Sequence, residues 1–281
     1  MNDLPIEKEN MYYKHSGAIG MLSPVLMIIL GAIGIAFLGG AYAYLTYYIP
    51  FIYLNFFIAL GYGLGVGMFV GWGASLGKCR KPGLVSLIAL VIGVVAAYAG
   101  WVIWIYASLS KLLVFPDQVW ALTQAIADKG AWSIESWTPK GAQLNIIWGI
   151  EVAVIALSCT LVAYTIVATK LFCEPCNKWI SDEKELSHLN AIDDKDQFVS
   201  QLERGNFSAL AELGNSEDGQ RLSTLVTLSH CESCGNNYFM SLKSVITTTD
   251  SDGKEKTENT DIAENLIISA ANYKLLTSTY R

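Results

Sequence analysis

Tyr44-Leu-Thr-Tyr47-Tyr48-Ile49-Pro50-Phe51-Ile52-Tyr53 stands inside a run, residues 16–77, that contains no Asp, Glu, Lys or Arg. A helix crosses the bilayer core with ~20 apolar residues, so this run is too long for one span and long enough for two. Pro50 supplies the break, because proline ends or kinks a helix at the residue before it. The reading is a helix over about 22–48, a tight turn, and a second helix over about 51–77. Residues 83–110 are again uncharged and 141–169 carry only Glu151, which predicts helices over about 84–110 and 144–172. Backbone facing lipid must satisfy its own hydrogen bonds, so each span is helical.

The composition agrees. Of 281 residues only 16% are charged, against roughly 25% in an average soluble domain, which excludes a single soluble domain and a secreted disulfide mini-protein. Ala41-Tyr42-Ala43 imitates a signal-peptide cleavage site. However, an apolar core of ~20 residues exceeds the roughly 7–15 of a signal peptide, and acidic residues precede it. The segment therefore reads as a span.

Lys and Arg near the span ends set the orientation. Lys8, Lys14, Lys78, Arg80, Lys81, Lys170, Lys178 and Lys184 fall on one side, and Lys111, Lys129 and Lys140 on the other. This places both termini and the 78–83 loop in the cytoplasm of a cell (inner) membrane, with 1–21 as a cytosolic N-terminal segment. Tyr42, Tyr44, Tyr47, Tyr48, Tyr53, Trp101, Trp104 and Trp148 then gather toward the outer interface, where amphipathic rings settle. In the outer loop, 111–143, Val119, Leu122 and Ile126 share a helical face between Asp117 and Lys129, and Gly130 follows as a stop. A short amphipathic helix is expected there, on the membrane surface or packed over the bundle. Trp132 and Trp137 in the segment that follows read as interface anchors.

Within the second span, Gly63, Gly67 and Gly71 recur every four residues on one face. Small residues at this spacing let helix backbones approach closely, which drives association where lipid removes the hydrophobic term. The reading is internal packing, with this helix central between the first and third spans. The alternative is a glycine zipper joining copies in a homo-oligomer, around a path for a solute. Glu151, about seven residues inside the fourth span, is the other candidate functional group, since an intramembrane carboxyl is costly. No Lys or Arg lies within a span, so its expected partners are Tyr or Asn side chains such as Asn55.

From residue 173 the composition changes. Residues 173–281 hold 18 acidic and 10 basic residues, a net −8, whereas the preceding 172 carry +2. Cys173-Glu-Pro-Cys176 and Cys231-Glu-Ser-Cys234-Gly235 are two Cys-x-x-Cys pairs. Each tight turn points two sulfurs inward, and two such turns place four thiolates around one tetrahedral ion. A reducing cytoplasm favours metal over disulfide. Gly235 suits a turn that needs a permissive backbone. The 54 residues between the pairs call for an inserted subdomain, read here as helical. A helix is expected to start at Ser181-Asp182 with Leu186, Leu189 and Ile192 on its apolar face. Further helices are expected around Phe198–Leu202 and Phe207–Leu213. Leu222–Leu228 and Tyr238–Thr249 read as strands, Asp252-Gly253 as a hairpin turn, 254–260 as a polar return strand, and Leu266–Ile268 as a separate short element. His230 is adjacent to a ligand without being counted as one. Cys159 reads as a small core residue, and Cys79, between Lys78 and Arg80, as an ordinary exposed cysteine, with an acylation site or a low-pKa thiol as alternatives.

The two Cys pairs resemble a zinc ribbon with rubredoxin-type knuckles, a resemblance confined to those short motifs. It implies a structural zinc on Cys173, Cys176, Cys231 and Cys234. The fold class expected is an α-helical membrane bundle of four transmembrane helices plus a small α+β cytosolic zinc-ribbon-like domain with a helical insert. No Walker loop, dinucleotide glycine pattern, HExxH, nucleophile elbow or paired catalytic carboxylates occur, so the chain reads as a binder more than an enzyme. A −8 domain repels phosphate and argues against nucleic acid. Its expected partners are membrane lipid and a protein docked on the cytosolic domain, in an adaptor, assembly or regulatory role. A channel or transporter component using the second span and Glu151 is the alternative, and a non-catalytic subunit of a membrane enzyme a third.

Overall fold

The computed structural model describes residues 11–49, 51–133, 137–186, 188–216, 221–249 and 254–280. Pro50 and the Asp252-Gly253 turn lie outside the described residues, as does Lys8. The chain divides into two compact units, one of Ser16–Lys170 and one of Leu171–Arg281 with the described part of Met1–His15.

In the first unit, α1 (Ser23–Tyr48), α2 (Ile52–Leu76) and α3 (Pro82–Leu109) precede the shorter α4 (Pro116–Lys129), and α5 (Ala142–Ala168) closes it. All but α4 are long and apolar enough to cross a membrane. Prolines stand in the first turns of α1, α3 and α4, where the missing N–H is no loss. The helix α4 carries Asp117 in its first turn and Lys129 in its last, and Gly130 follows at φ 87°. Its Val119 and Ala127 are buried and Trp120 is exposed. Gln124 and Asn145 of α5 exchange reciprocal amide hydrogen bonds at 3.3 and 3.1 Å. The long helices leave apolar side chains on their outer faces, among them Phe37, Phe57, Leu76, Leu157 and Leu161.

The helix α2 packs mainly against α1 and α5, and α3 packs against α5 and α1. The expected packing of α1 against α2 holds, α3 touches α2 to a lesser extent, and the helix that meets the Gly63, Gly67 and Gly71 face is α5. A Cβ on Gly63 would lie 2.0 Å from Ser158 Oγ and 2.5 Å from the Ile155 carbonyl oxygen. On Gly67 it would lie 2.5 Å from the Cys159 carbonyl oxygen, and on Gly71 2.7 Å from Ile166 Cδ1. Gly73 meets Met27 and Gly77 meets Ser23, both on α1.

The second unit begins with the hairpin β1 (Leu171–Cys173) and β2 (Lys178–Ile180). Two short strands, β3 (Asp182–Glu185) and β4 (Leu189–Asn190), lead to α6 (Lys195–Glu203) and α7 (Ser208–Leu213). The long strands β5 (Leu222–Cys231), β6 (Asn236–Thr249) and β7 (Glu255–Ile268) follow, and α8 (Ala270–Thr279) ends the unit. The sheet is antiparallel in the order β3-β5-β6-β7, with β4 also on β5. Asp194 caps α6 by accepting from the Gln197 N–H at 2.9 Å, and Ser269 caps α8 by accepting from the Asn272 N–H at 3.1 Å. Leu189, Leu202, Leu210, Leu228, Met240 and Leu242 form the centre of the core.

The structure differs from three expectations. The Ser181-Asp182 helix start is instead β3, paired residue for residue with Thr227–His230. Its acidic residues imitate a first helical turn, but the open edge of β5 captures the segment, as tertiary pairing commonly overrides local propensity. Leu186, Leu189 and Ile192 are buried all the same. Next, the return strand and the Leu266 element are one strand, β7. The pairing shifts between Met240 and Lys243, and Asn265 takes φ 55°, a bulge that bends one strand from an exposed polar half into a buried apolar half. Third, residues 11–13, assigned to a separate N-terminal segment, add to the free edge of β7. The Tyr13 N–H donates to the Asn265 carbonyl, and the Ile267 N–H to the Met11 carbonyl. The Tyr13 hydroxyl accepts from the Phe172 N–H at 3.1 Å, and its ring meets Phe239 edge-on at 5.6 Å. Loss of that hydrogen bond and ring contact in Tyr13→Ala is expected to cost about 1–3 kcal/mol, measured as faster proteolysis of this unit in the intact protein.

Candidate functional site

The two Cys-x-x-Cys turns sit at equivalent places, one closing the β1–β2 hairpin and the other the β5–β6 hairpin. Each turn closes with a residue in the left-handed region directly after its second cysteine: Asn177 at φ 51° and Gly235 at φ 60°. Asparagine tolerates this conformation better than other side chains, so Asn177 does in the first turn what Gly235 does in the second. The Gly235 N–H donates to the Cys231 carbonyl at 2.8 Å and the Asn177 N–H to the Glu174 carbonyl at 3.1 Å.

The four sulfurs of Cys173, Cys176, Cys231 and Cys234 lie within 4.8 Å of one another. Thiolates bound tetrahedrally at 2.3 Å from one ion stand about 3.8 Å apart, and Cys173 Sγ to Cys234 Sγ is 3.7 Å. The spacing fits a single ion. Cys173 and Cys231 are buried, Cys176 and Cys234 partly so. Leu171, Ile180, Phe239 and Tyr13 pack around the cluster, and Asn237 Nδ2 donates to Cys173 Sγ at 3.2 Å, the kind of outer hydrogen bond that orients a ligand.

The thiols differ in acidity. Burial raises Cys173. Hydrogen bonding to Cys234, with desolvation and the other two thiols, pushes Cys176 up to about 12. At Cys231 burial also acts upward, but the N–H groups of Cys234 and Ser233 and the Cys173 thiol outweigh it and bring it down to about 7. One thiolate is thus ready near neutral pH while Cys173 and Cys176 hold their protons. A bound cation must displace those protons, so affinity falls as pH falls. Acidification from about pH 7.5 to pH 5 is expected to release the ion, followed with a chromophoric chelator.

His230 takes no part in the cluster. On its strand it points to the face opposite Cys231, where Nδ1 meets Asp182 and the Tyr273 hydroxyl, the latter at 3.1 Å, and the ring stacks on Tyr238. Cys79, expected exposed, is fully buried, which closes it to acylation. Cys159 is buried and directs its sulfur to the Ala89 carbonyl at 3.4 Å.

In the helical unit, Glu151 Oε1 accepts from the Tyr42 hydroxyl at 2.6 Å. The sequence groups Tyr42 with the interface rings. It is instead buried, stacked on Tyr62 at 4.8 Å, and Tyr62 is anchored by donating to the Ala96 carbonyl at 3.0 Å. Nothing in the hydrophobic period of α1 distinguishes Tyr42 from the tyrosines that follow it. Asn55, the expected partner of Glu151, has a buried Oδ1 that accepts no hydrogen bond. Asn55 and Glu151 nevertheless line one cavity of about 590 Å³. Compared with protein-family models, curated proteins and solved structures, the chain matches none.

Proposed function

We propose that this chain is a four-span membrane protein whose cytosolic domain is pinned by a structural zinc ion and docks a protein partner, in an adaptor, assembly or regulatory role. The observation that carries the reading is the convergence of four sulfurs from two hairpin turns at tetrahedral spacing. Four thiolates complete the coordination sphere of zinc and leave no position for a reactive water, so the ion holds the domain together and does no chemistry. The domain is of the zinc-ribbon type, with β3, β4, α6 and α7 inserted between its two knuckles. The apolar outer faces of the long helices suit lipid, and the bias of Lys and Arg puts both termini on the cytoplasmic side, where thiols stay reduced.

An adaptor depends on its domain and not on a carboxyl in its membrane part. Cross-linking in native membranes, followed by purification of the full chain, is expected to retain the same partner for Glu151→Gln as for the unaltered protein and to lose it for Cys231→Ser. Retention by Cys231→Ser with loss by Glu151→Gln would overturn the reading in favour of a role centred on the membrane helices.

A further inference from the structure

The cavity beside Glu151 falls in the range of roughly 300–1,000 Å³ that small-molecule sites occupy. Half of the eighteen described residues that line it are Phe, Tyr or Trp, against 11% of the whole chain. Trp101 meets Trp148 edge-on at 4.9 Å and lies tilted against Trp104 at 5.9 Å, while Trp132 contributes from the segment after α4. These are the rings that sequence alone reads as membrane anchors.

The lining carries neutral donors in its tryptophan N–H groups and the Asn55 amide, and beside them a set of acceptors. The Tyr42 hydroxyl hydrogen is committed to Glu151. Thr46 donates its own to the Tyr42 and Ala43 carbonyls at 2.9 and 3.1 Å, so what it offers inward is lone pairs. Glu151 has further lone pairs beyond the one Tyr42 engages. Asn55 Oδ1 is buried with no donor, an arrangement native proteins avoid unless something else supplies the hydrogen bond. Among the described lining residues there is one acid and no Lys, Arg or His. The faces of aromatic rings are themselves electron-rich and attract cations.

A carboxyl, an unsatisfied carbonyl oxygen and a wall of ring faces therefore ask for the same visitor. We propose that this cavity binds an organic ammonium ion bearing N–H hydrogens and an apolar body, its head between Glu151 and Asn55 and its body against the tryptophans. A quaternary ammonium has no hydrogen for Asn55, a neutral alcohol no charge for Glu151, and an anion finds no Lys, Arg or His among the described lining residues. A free amine and the primary ammonium head group of a phospholipid present this same chemistry. The proposal concerns the helical unit alone and does not depend on the metal centre.

The test uses the full chain in phosphatidylcholine nanodiscs, titrated with 2-phenylethylammonium and followed by tryptophan fluorescence. Saturable binding is expected, with the N,N,N-trimethyl analogue and 3-phenylpropan-1-ol each at least about tenfold weaker. Glu151→Gln keeps an oxygen for Tyr42 and is expected to weaken binding at least about tenfold. Asn55→Leu is expected to weaken it several-fold without lowering thermal stability, because it removes a buried unpaired oxygen; a merely structural asparagine would give the opposite pattern. No saturable binding, equal binding of the alcohol, or unaltered affinity in both variants would overturn the proposal. Exchanging the disc lipid for phosphatidylethanolamine identifies the source: a several-fold loss of apparent affinity for the probe assigns the site to the lipid head group, and no change assigns it to a free amine.

Discussion

Cys231→Ser is expected to empty the metal centre and unfold the sheet unit while the four long helices stay folded. Serine keeps nearly the same volume but presents a neutral hydroxyl in place of a thiolate, a poor ligand for a soft site. Structural zinc contributes apparent binding free energies of about 10–16 kcal/mol near pH 7, whereas a whole domain is stable by roughly 5–15 kcal/mol. The loss is therefore comparable to the entire stability of the unit. Cys231 ends β5 at the turn into β6 and faces the cysteines of the β1–β2 hairpin, so an ion held there ties the two hairpins together. Digestion with trypsin should cut this unit rapidly and spare the helices, and chelation of the unaltered protein should reproduce the pattern. The intact chain is the right object, because residues 11–13 pair with β7 and a fragment beginning at 173 would lack them.

The second large effect is expected at Gly67. A leucine there would drive its Cβ to within 2.5 Å of the Cys159 carbonyl oxygen and 2.9 Å of the Cys159 Cα. Both are backbone atoms in the middle of α5, so no rotamer relieves the contact and the helices must part. Overpacking a core commonly costs about 1–3 kcal/mol, and an unyielding backbone contact belongs at or above the upper end. Gly67→Leu is expected to lower the yield of monodisperse protein severely. Gly61→Leu, on the same helix with no heavy atom within 4 Å of its Cβ position, should leave the yield unchanged. A folded Gly67→Leu monomer that has lost an oligomer would instead mean that this face joins copies of the chain.

The parts of the fold that could be read from the chain are those written in composition. Apolar runs with at most one charged residue announce α1, α2, α3 and α5, each long and apolar enough to cross a membrane. The paired cysteines announce a cluster, because their two-residue spacing fixes where the sulfurs point. What escaped depends on contacts between distant residues. The acidic stretch at 182–185 looks helical until the edge of β5 is available to it. The 11–13 strand has no local signal, since its pairing lies on β7. Asn177 is legible only once the second turn shows what Gly235 does. Tyr42 resembles every other tyrosine of its helix, and only the tertiary arrangement of α1 and α5 joins it to Glu151. Asn55 and Glu151 read as polar groups at similar depth, and they share a cavity instead of a bond.

The most direct test of the account is the metal content of the full-length protein, purified in detergent without chelators and measured by mass spectrometry alongside Cys231→Ser. About one zinc per chain is expected in the unaltered protein, with no thiol among the four cysteines that reacts before chelation, and near-zero metal in the variant. A metal-free protein whose sheet unit resists protease with four freely reactive thiols would contradict it.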